Sequence, residues 1–356
     1  MSIYFKGNKV GISKGVDLSD TTATANDILE GKTAYTSEGK VTGNYVDRLQ
    51  QKINMTKSLK YEFSYITNLD YKIILNGLNL TDVTTADNMF YEATGVSDIN
   101  LNLPNCTSYK DFHYGFHNKN GILKSIEITL YNISDLYDLV AWQNTGEYTI
   151  TINNSKFVKS YSGIASNSHV SHFYDNGKEE LDAQNSTSLR YFVTYNNKLL
   201  YINFINTQNI KDYVGAFSNC TSISTIKTLD FLNTTSIDNT TFAYCRELKN
   251  LIIKNIKLNL NLQHCLKLTN ASLLNIAQEL WDNTDQALGG TRTITLHANS
   301  KINIQNIYVK LITPTPEQET EDPYINNKKP CIECESTEEG AMTLEEYIIS
   351  KGWSIA

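Results

Sequence analysis

The sequence predicts a mixed α+β, β-rich solenoid. Three observations predict it: a short phrase returns at near-constant spacing, each return leads into an alternating apolar run, and the polar residues are mostly uncharged. The phrase is clearest between residues 213 and 268, where Phe217, Cys220 and Ile223, then Phe242, Cys245 and Leu248, then Leu262, Cys265 and Leu268 stand three places apart. From Phe217 to Phe242 is 25 residues, and from Phe242 to Leu262 is 20. Threefold spacing of apolar residues fits one buried side of a helical or 3-10 turn. The runs Ile223-Ser224-Thr225-Ile226 and Leu248 to Ile253 alternate as half-buried strands do. One turn plus one strand cannot bury a core alone, whereas stacked copies can.

A recurrence of about 20–29 residues is the mark of a leucine-rich-repeat solenoid. Weaker copies lie upstream: Asn88-Met89-Phe90-Tyr91-Glu92-Ala93, Phe116 before the run Ile126 to Leu130, and Asn105-Cys106-Thr107-Ser108, which matches Asn219-Cys220-Thr221-Ser222. Here the chain resembles the irregular, BspA-like leucine-rich repeats of bacterial surface and phage proteins. The resemblance implies a solenoid over residues 59–300. Cys220, Cys245 and Cys265 read as small buried hydrophobes, since no pair has zinc-type spacing.

Residues 1–45 read as a small β module. Ile3-Tyr4-Phe5 and Lys9 to Ile12 are short strands, and the turn at Glu38-Gly39 returns Val41 as another. The stretch DTTATANDILEGKTAYTSEGKVTG, residues 20–43, resembles a module of phage tail and other virion appendage proteins. That implies attachment to other virion proteins through this end. Residues 46–58 read as a linker helix, with Val46, Leu49 and Ile53 at a/d spacing.

The middle, residues 131–212, reads as irregular. Glu147 to Ile152 is a strand. Tyr191 to Tyr195 and Leu199 to Phe204 read as a hairpin about Asn196-Asn197, or as two successive solenoid strands. Insertions in a solenoid collect on one face and often bind. Tyr161, Tyr174, Tyr191, Tyr195 and Tyr201 are the candidate surface-contact residues for a sugar or protein.

Thr269-Asn270 starts a helix with an apolar stripe through Leu273, Ile276, Ala277 and Leu280, and Thr293 to His297 follows as a strand. Residues 301–356 read as a C-terminal α+β cap. A strand at 306–312 and an acidic, Pro-bearing loop lead to Cys331 and Cys334, read as structural. Then come a capped helix from Thr343 to Ser350 and a last strand at Trp353. This tail is similar to the C-termini of phage appendage proteins that carry such repeats.

Net charge is −7 and charged residues are 19% of the chain, with no basic block to suggest nucleic acid. No run reaches the roughly 18 apolar residues of a membrane span. No apolar signal segment follows Met1, so the expected site of synthesis is a cytoplasm. His113 and His117 stand four apart, but Gly115 breaks the segment and no Glu lies between, so they make a poor zinc helix. No Gly-x-Ser-x-Gly elbow and no phosphate loop appear. No catalytic residue, cofactor or metal is expected.

The resemblance implies a phage tail-fibre or baseplate protein, oligomeric, with a trimer possible in such assemblies, that binds a host-surface glycan or protein. A capsid decoration or head fibre is the second reading, and a bacterial adhesin or scaffold the third.

Overall fold

A computed structural model describes residues 2–5, 8–11, 33–36, 39–42, 45–65, 75–76, 78–93, 96–114, 123–141, 147–284, 288–312, 331–334 and 340–356. Two antiparallel hairpins open the chain: β1 (Ser2–Phe5) with β2 (Asn8–Gly11), and β3 (Thr33–Thr36) with β4 (Gly39–Thr42). Helix α1 (Tyr45–Thr56) follows.

The chain then winds into a parallel β-solenoid of about six turns. Strands β5 (Asp98–Asn102), β7 (Ser125–Thr129), β10 (Tyr148–Asn153) and β12 (Val170–Tyr174) stack in parallel. The stack resumes with β13 (Leu181–Asp182), β14 (Tyr201–Ile205), β15 (Thr225–Asp230) and β16 (Asn250–Lys254). Their burial alternates: Ile126, Ile150, Ile202, Ile226 and Leu251 face inward, and their neighbours face out.

A second ladder runs beside the first. Single parallel bridges join Ser58, Thr85, Ser108 and Asp135 in turn, and Ser188, Asp212 and Ser236 further on. Between them β8 (Ser134–Asp135) pairs with β11 (Val158–Ser160), and Tyr161 N donates to Ser188 O at 3.0 Å. Each ladder residue opens a tight turn. One place on, Leu59, Ala86, Tyr109, Leu136, Tyr161, Leu189 and Tyr213 are all buried. Five places on, Phe63, Phe90, His113, Val140, Ala165, Val193 and Phe217 are buried as well. His113 and Val140 lie on the paired segments β6 (His113–Tyr114) and β9 (Val140–Ala141).

Stacking puts like on like. Phe63, Phe90 and Phe112 follow one another at ring distances of 5.5 and 5.3 Å, and Phe217 and Phe242 lie 5.8 Å apart and nearly parallel. Outside the core, asparagine amides link the coils. Asn132 donates to Pro104 O, Asn185 to Lys156 O, Asn209 to Gln184 O and Asn233 to Gln208 O, at 2.8 to 3.1 Å. The backbone carbonyl of each coil is thereby satisfied by the next.

Helix α1 is not a free linker. Leu49 and Ile53 enter the solenoid core, Gln50 exchanges hydrogen bonds with the Asn79 backbone, and Lys52 pairs with Glu62. The a/d spacing seen in the sequence is thus an intramolecular seam. The strand expected over Tyr191 to Tyr195, as a hairpin arm or a solenoid strand, is also corrected. It is a turn, because Tyr191 and Tyr195 both have positive φ, which breaks a strand.

Past β16 the next coil carries helix α2 (Asn270–Glu279) instead of a strand. Thr269 caps it, accepting from Ser272 N. Ser272 Oγ, Asn275 Oδ1 and Glu279 Oε2 accept from Leu251 N, Ile253 N and Asn255 N at 2.9, 3.0 and 3.0 Å. Three donors at strand spacing meet acceptors three and four apart on a helix, which rise by a similar distance. The third copy of the phrase departs here: Leu262 lies on β17 (Leu260–Leu262), paired with β18 (Arg292–Leu296).

Helix α3 (Ala298–Ile304) leads to β19 (Tyr308–Ile312), which pairs with β20 (Cys331–Cys334) and β21 (Met342–Thr343). Helix α4 (Leu344–Ser350) carries a capping box between Thr343 and Glu346, and β22 (Trp353–Ile355) lies parallel to β18. Lys351 is buried, and its ammonium donates to Ala277 O, Gln278 O and Leu280 O at 3.1, 3.1 and 2.6 Å. A cation on the carbonyl end of α2 also complements the helix dipole. Lys351→Met leaves the Gln278 and Leu280 carbonyls without their donor and is expected to cost about 3 kcal/mol, read as a lower urea midpoint. A surface role would leave the midpoint unchanged.

Candidate recognition site

Three places beyond every ladder residue but Ser236 the backbone turns left-handed. Tyr61, Asn88, Asp111, Asp138, Gly163, Tyr191 and Gly215 hold φ between 49° and 64°. Seven places beyond, Tyr65, Glu92, Asn167, Tyr195 and Asn219 do the same, and Tyr244 after one extra residue. Glycine, Asn and Asp suit this region, whereas a bulky side chain there is strained by about 1–2 kcal/mol. Five tyrosines nevertheless occupy it: Tyr61, Tyr65, Tyr191, Tyr195 and Tyr244.

These five are not held by the core, for they are between 41% and 66% exposed. They line one face, the outer side of the stacked turns. Cations flank them: Lys60 over Tyr61 at 5.3 Å, Arg190 over Tyr191 at 5.7 Å and Arg246 over Tyr244 at 5.6 Å. The arrangement cation-Tyr-x-x-x-Tyr occurs twice, at 60–65 and 190–195. Tyr191 lies over the next coil's turn, where a Cβ on Gly215 would come 2.5 Å from its ring. Only glycine at 215 leaves room for that ring.

Between the two pairs the same face is acidic. Asp87, Asp111 and Asp138 lie on successive coils. Burial first, and then the neighbouring Asp111 carboxylate, push Asp138 up to about 6. Burial and Asp87 raise Asp111 too. Beneath them, burial pushes the His113 imidazole down to about 4. His113 takes a place that Phe90 and Val140 fill in adjacent coils, so it is a neutral core residue. Its companion His117 lies outside the described residues.

The five tyrosines singled out by sequence fall in three places. Tyr191 and Tyr195 are on the turn face. Tyr161 is corrected: it is 0% exposed, in the first buried row of the turns, and its hydroxyl donates to Ser155 O or Asp182 O at 3.2 and 3.0 Å. Tyr174 and Tyr201 are half-buried on the outer side of the strand stack. Tyr174 stacks on His172, which meets Glu179 at 2.6 Å. Tyr201 borders an open groove of about 500 Å³ with Thr225, Lys227, Asn250, Ile252, Ala271, Ser272 and Asn275. Sequence reasoning missed Tyr61, Tyr65 and Tyr244. For Tyr61 and Tyr65 the signal was present in the recurrence of a basic residue followed by Tyr-x-x-x-Tyr; Tyr244 lies outside that pattern.

Cys106, Cys220, Cys245 and Cys265 are free and buried. Burial pushes Cys220 and Cys265 up to about 12 and Cys106 up to about 11. Cys220 and Cys245 give their S–H to Val193 O and Phe217 O in the preceding coil, at 3.0 and 3.1 Å. Such thiols pack and do not attack. Among the described residues no cluster of three or more His, Cys, Asp or Glu is placed to hold a metal, and no helix is long and apolar enough to cross a membrane. Comparison with known proteins finds no matching family model, curated protein or solved structure.

Two outcomes follow from these buried groups. In a chain with Cys331→Ser and Cys334→Ser, an aromatic disulfide reagent at pH 8 is expected to find no thiol in the native state and all four after denaturation. Rapid native labelling would contradict the burial. The second concerns pH. Unfolded His113 takes a proton near 6.5 and folded His113 only near 4, so stability falls as pH drops through that window. Asp138 has the opposite sign: its carboxyl is protonated near 6 when folded and near 3.8 when unfolded, so folding gains as pH falls. His113→Phe is expected to gain on the parent progressively from pH 6.5 to 4. Asp138→Asn is expected to exceed the parent at pH 7 and to match it below pH 4. Urea midpoints across that range check both.

Proposed function

We propose that the chain is a recognition protein that binds its target non-covalently through the tyrosine face of the stacked turns. The observation that carries this is the backbone cost. Glycine serves at the same turn position in Gly163 and Gly215, so the fold does not need tyrosine there. Residues kept in an unfavourable conformation without burying themselves are kept for what they contact. Tyrosine offers a flat apolar ring and a polar tip, and a flanking cation adds directionality.

The setting we propose is a phage virion appendage, a tail-fibre or baseplate receptor-binding protein. The support is the resemblance of residues 20–43, which include the β3–β4 hairpin, together with that of the repeats and the tail. In this reading residues 1–45 attach to other virion proteins, the solenoid is an irregular leucine-rich-repeat array, and residues 301–356 close it. The target is a glycan or protein of a bacterial surface, and several copies on one particle raise the avidity. The reading requires no catalytic step, cofactor or metal.

The test uses the full chain with Tyr191→Gly and Tyr195→Gly together. Relief of left-handed strain offsets the lost ring contacts, so the thermal midpoint is expected to hold or rise. Binding to susceptible bacterial cells is expected to fall about tenfold or more, as when aromatic anchors are truncated. A variant that binds cells like the parent would remove the turn face from recognition. A parent that binds no cells but co-sediments with virions would assign the chain to decoration of the particle.

A further inference from the structure

We propose that the groove where helix α2 meets the strand stack is a second binding site, separate from the turn face, and that it takes a carboxylated sugar unit. It lies on the opposite kind of surface, the outward side of β14, β15 and β16. It exists because α2 stands in place of the next strand. A helix beside a strand edge leaves a step that a further strand would have filled, and Ala271, Ser272 and Asn275 form one wall of it. Its volume of about 500 Å³ is within the range of small-molecule sites.

The chemistry of the wall selects the ligand. Tyr201 supplies an aromatic surface, and Ile252 and Ala271 supply aliphatic ones, which suits the C–H side of a sugar ring. Asn250, Asn275 and Thr225 bring amide and hydroxyl groups for ring hydroxyls. Asn275 is fixed in place, since its Oδ1 already accepts from Ile253 N, and Asn250 is oriented by its 3.2 Å bond to Thr225 Oγ1. The lining contains no Asp or Glu.

Charge decides between neutral and acidic ligands. Lys227 is exposed, sits 5.7 Å from the Tyr201 ring centre and has no ion-pair partner among the described residues. Glu179 and Glu180, which act on the Tyr201 hydroxyl, do not line the groove; Glu180 pairs with Lys178 and Glu179 meets His172. The lining therefore presents one cation and no carboxylate, beside an aromatic ring and two held amides. A carboxylate on the sugar completes it with a charge-assisted hydrogen bond.

The experiment titrates full-length protein with glucuronic acid and, separately, glucose, by ligand-observed NMR. Saturable binding of glucuronate is expected, about tenfold tighter than glucose, the worth of one charge-assisted contact. Lys227→Met is expected to remove that preference, and Asn250→Ala to weaken both sugars. All three positions of contact, Tyr201, Lys227 and Asn250, point outward, so the thermal midpoints of the variants should stay with the parent. The turn-face variant Tyr191→Gly with Tyr195→Gly should titrate like the parent, which separates this site from the proposed recognition face. Absence of saturable glucuronate binding, or equal affinity in the parent and Lys227→Met, would overturn the proposal.

Discussion

The structure depends on one interaction, the backbone hydrogen bond from each coil to the coil beside it. Parallel strands stack about 4.8 Å apart, so every position in a coil lies above its counterpart in the last. A sequence that folds this way must place residues that tolerate their own kind at that distance. Phenylalanine rings stack, thiols donate to carbonyls of the coil before, and asparagine amides do the same on the outside. Like charges in register repel. This accounts for a composition with 19% charged residues and a neutral polar surface. Where the rule is broken, at Asp111 and Asp138, burial first and then the neighbouring carboxylate move the carboxyl groups up toward neutrality.

A stack also has edges, and each unpaired edge offers N–H groups to any passing strand. The chain handles the edge of β16 by turning polar side chains of a helix into acceptors, one every helical turn or so. That helix in turn has a buried carbonyl end, which receives the buried ammonium of Lys351. The order is consistent from start to end: backbone bonds dictate stacking, stacking leaves an edge, and the last residues of the chain satisfy what the edge-covering helix leaves open. Gly352 belongs to this device. At φ 76° it lies so close to Asn283 that a Cβ would be 2.5 Å from that residue's carbonyl.

Much of the stack was legible because its strands are strongly periodic. The runs at Ile126, Ile150, Leu199 to Phe204 and Leu251 alternate, and all became strands; Thr269 and Thr343 announced their helices. The turns were harder. Their buried rows need only one residue in four or five, and Tyr fills both a buried row, at Tyr109, Tyr161 and Tyr213, and an exposed one. Residue type therefore does not separate Tyr161 from Tyr191. Only the register from the ladder residue does: one place on is core, three places on is surface. Residues 131–212 looked irregular for the same reason, since Gly163, Val140 and Ala165 stand where other coils carry aromatics. The groove at Tyr201 was invisible in the sequence, because it arises from a helix taking a strand's place.

The register also fixes how far apart the paired tyrosines stand. Ser58 and Ser188 open their turns five rungs apart along the ladder, through Thr85, Ser108, Asp135 and Ser160. At about 4.8 Å per rung the two cation-tyrosine pairs are roughly 24 Å apart. The distance is set by backbone geometry and is as rigid as the core beneath it. A target that engages both pairs must be extended over that length, or present two equivalent groups at that spacing, and it must cross the acidic coils of Asp111 and Asp138. Such a face favours a repeating polymer over a compact ligand. On the proposed reading the strain has a use: two weak aromatic contacts held at a fixed spacing would bind together far more tightly than either alone.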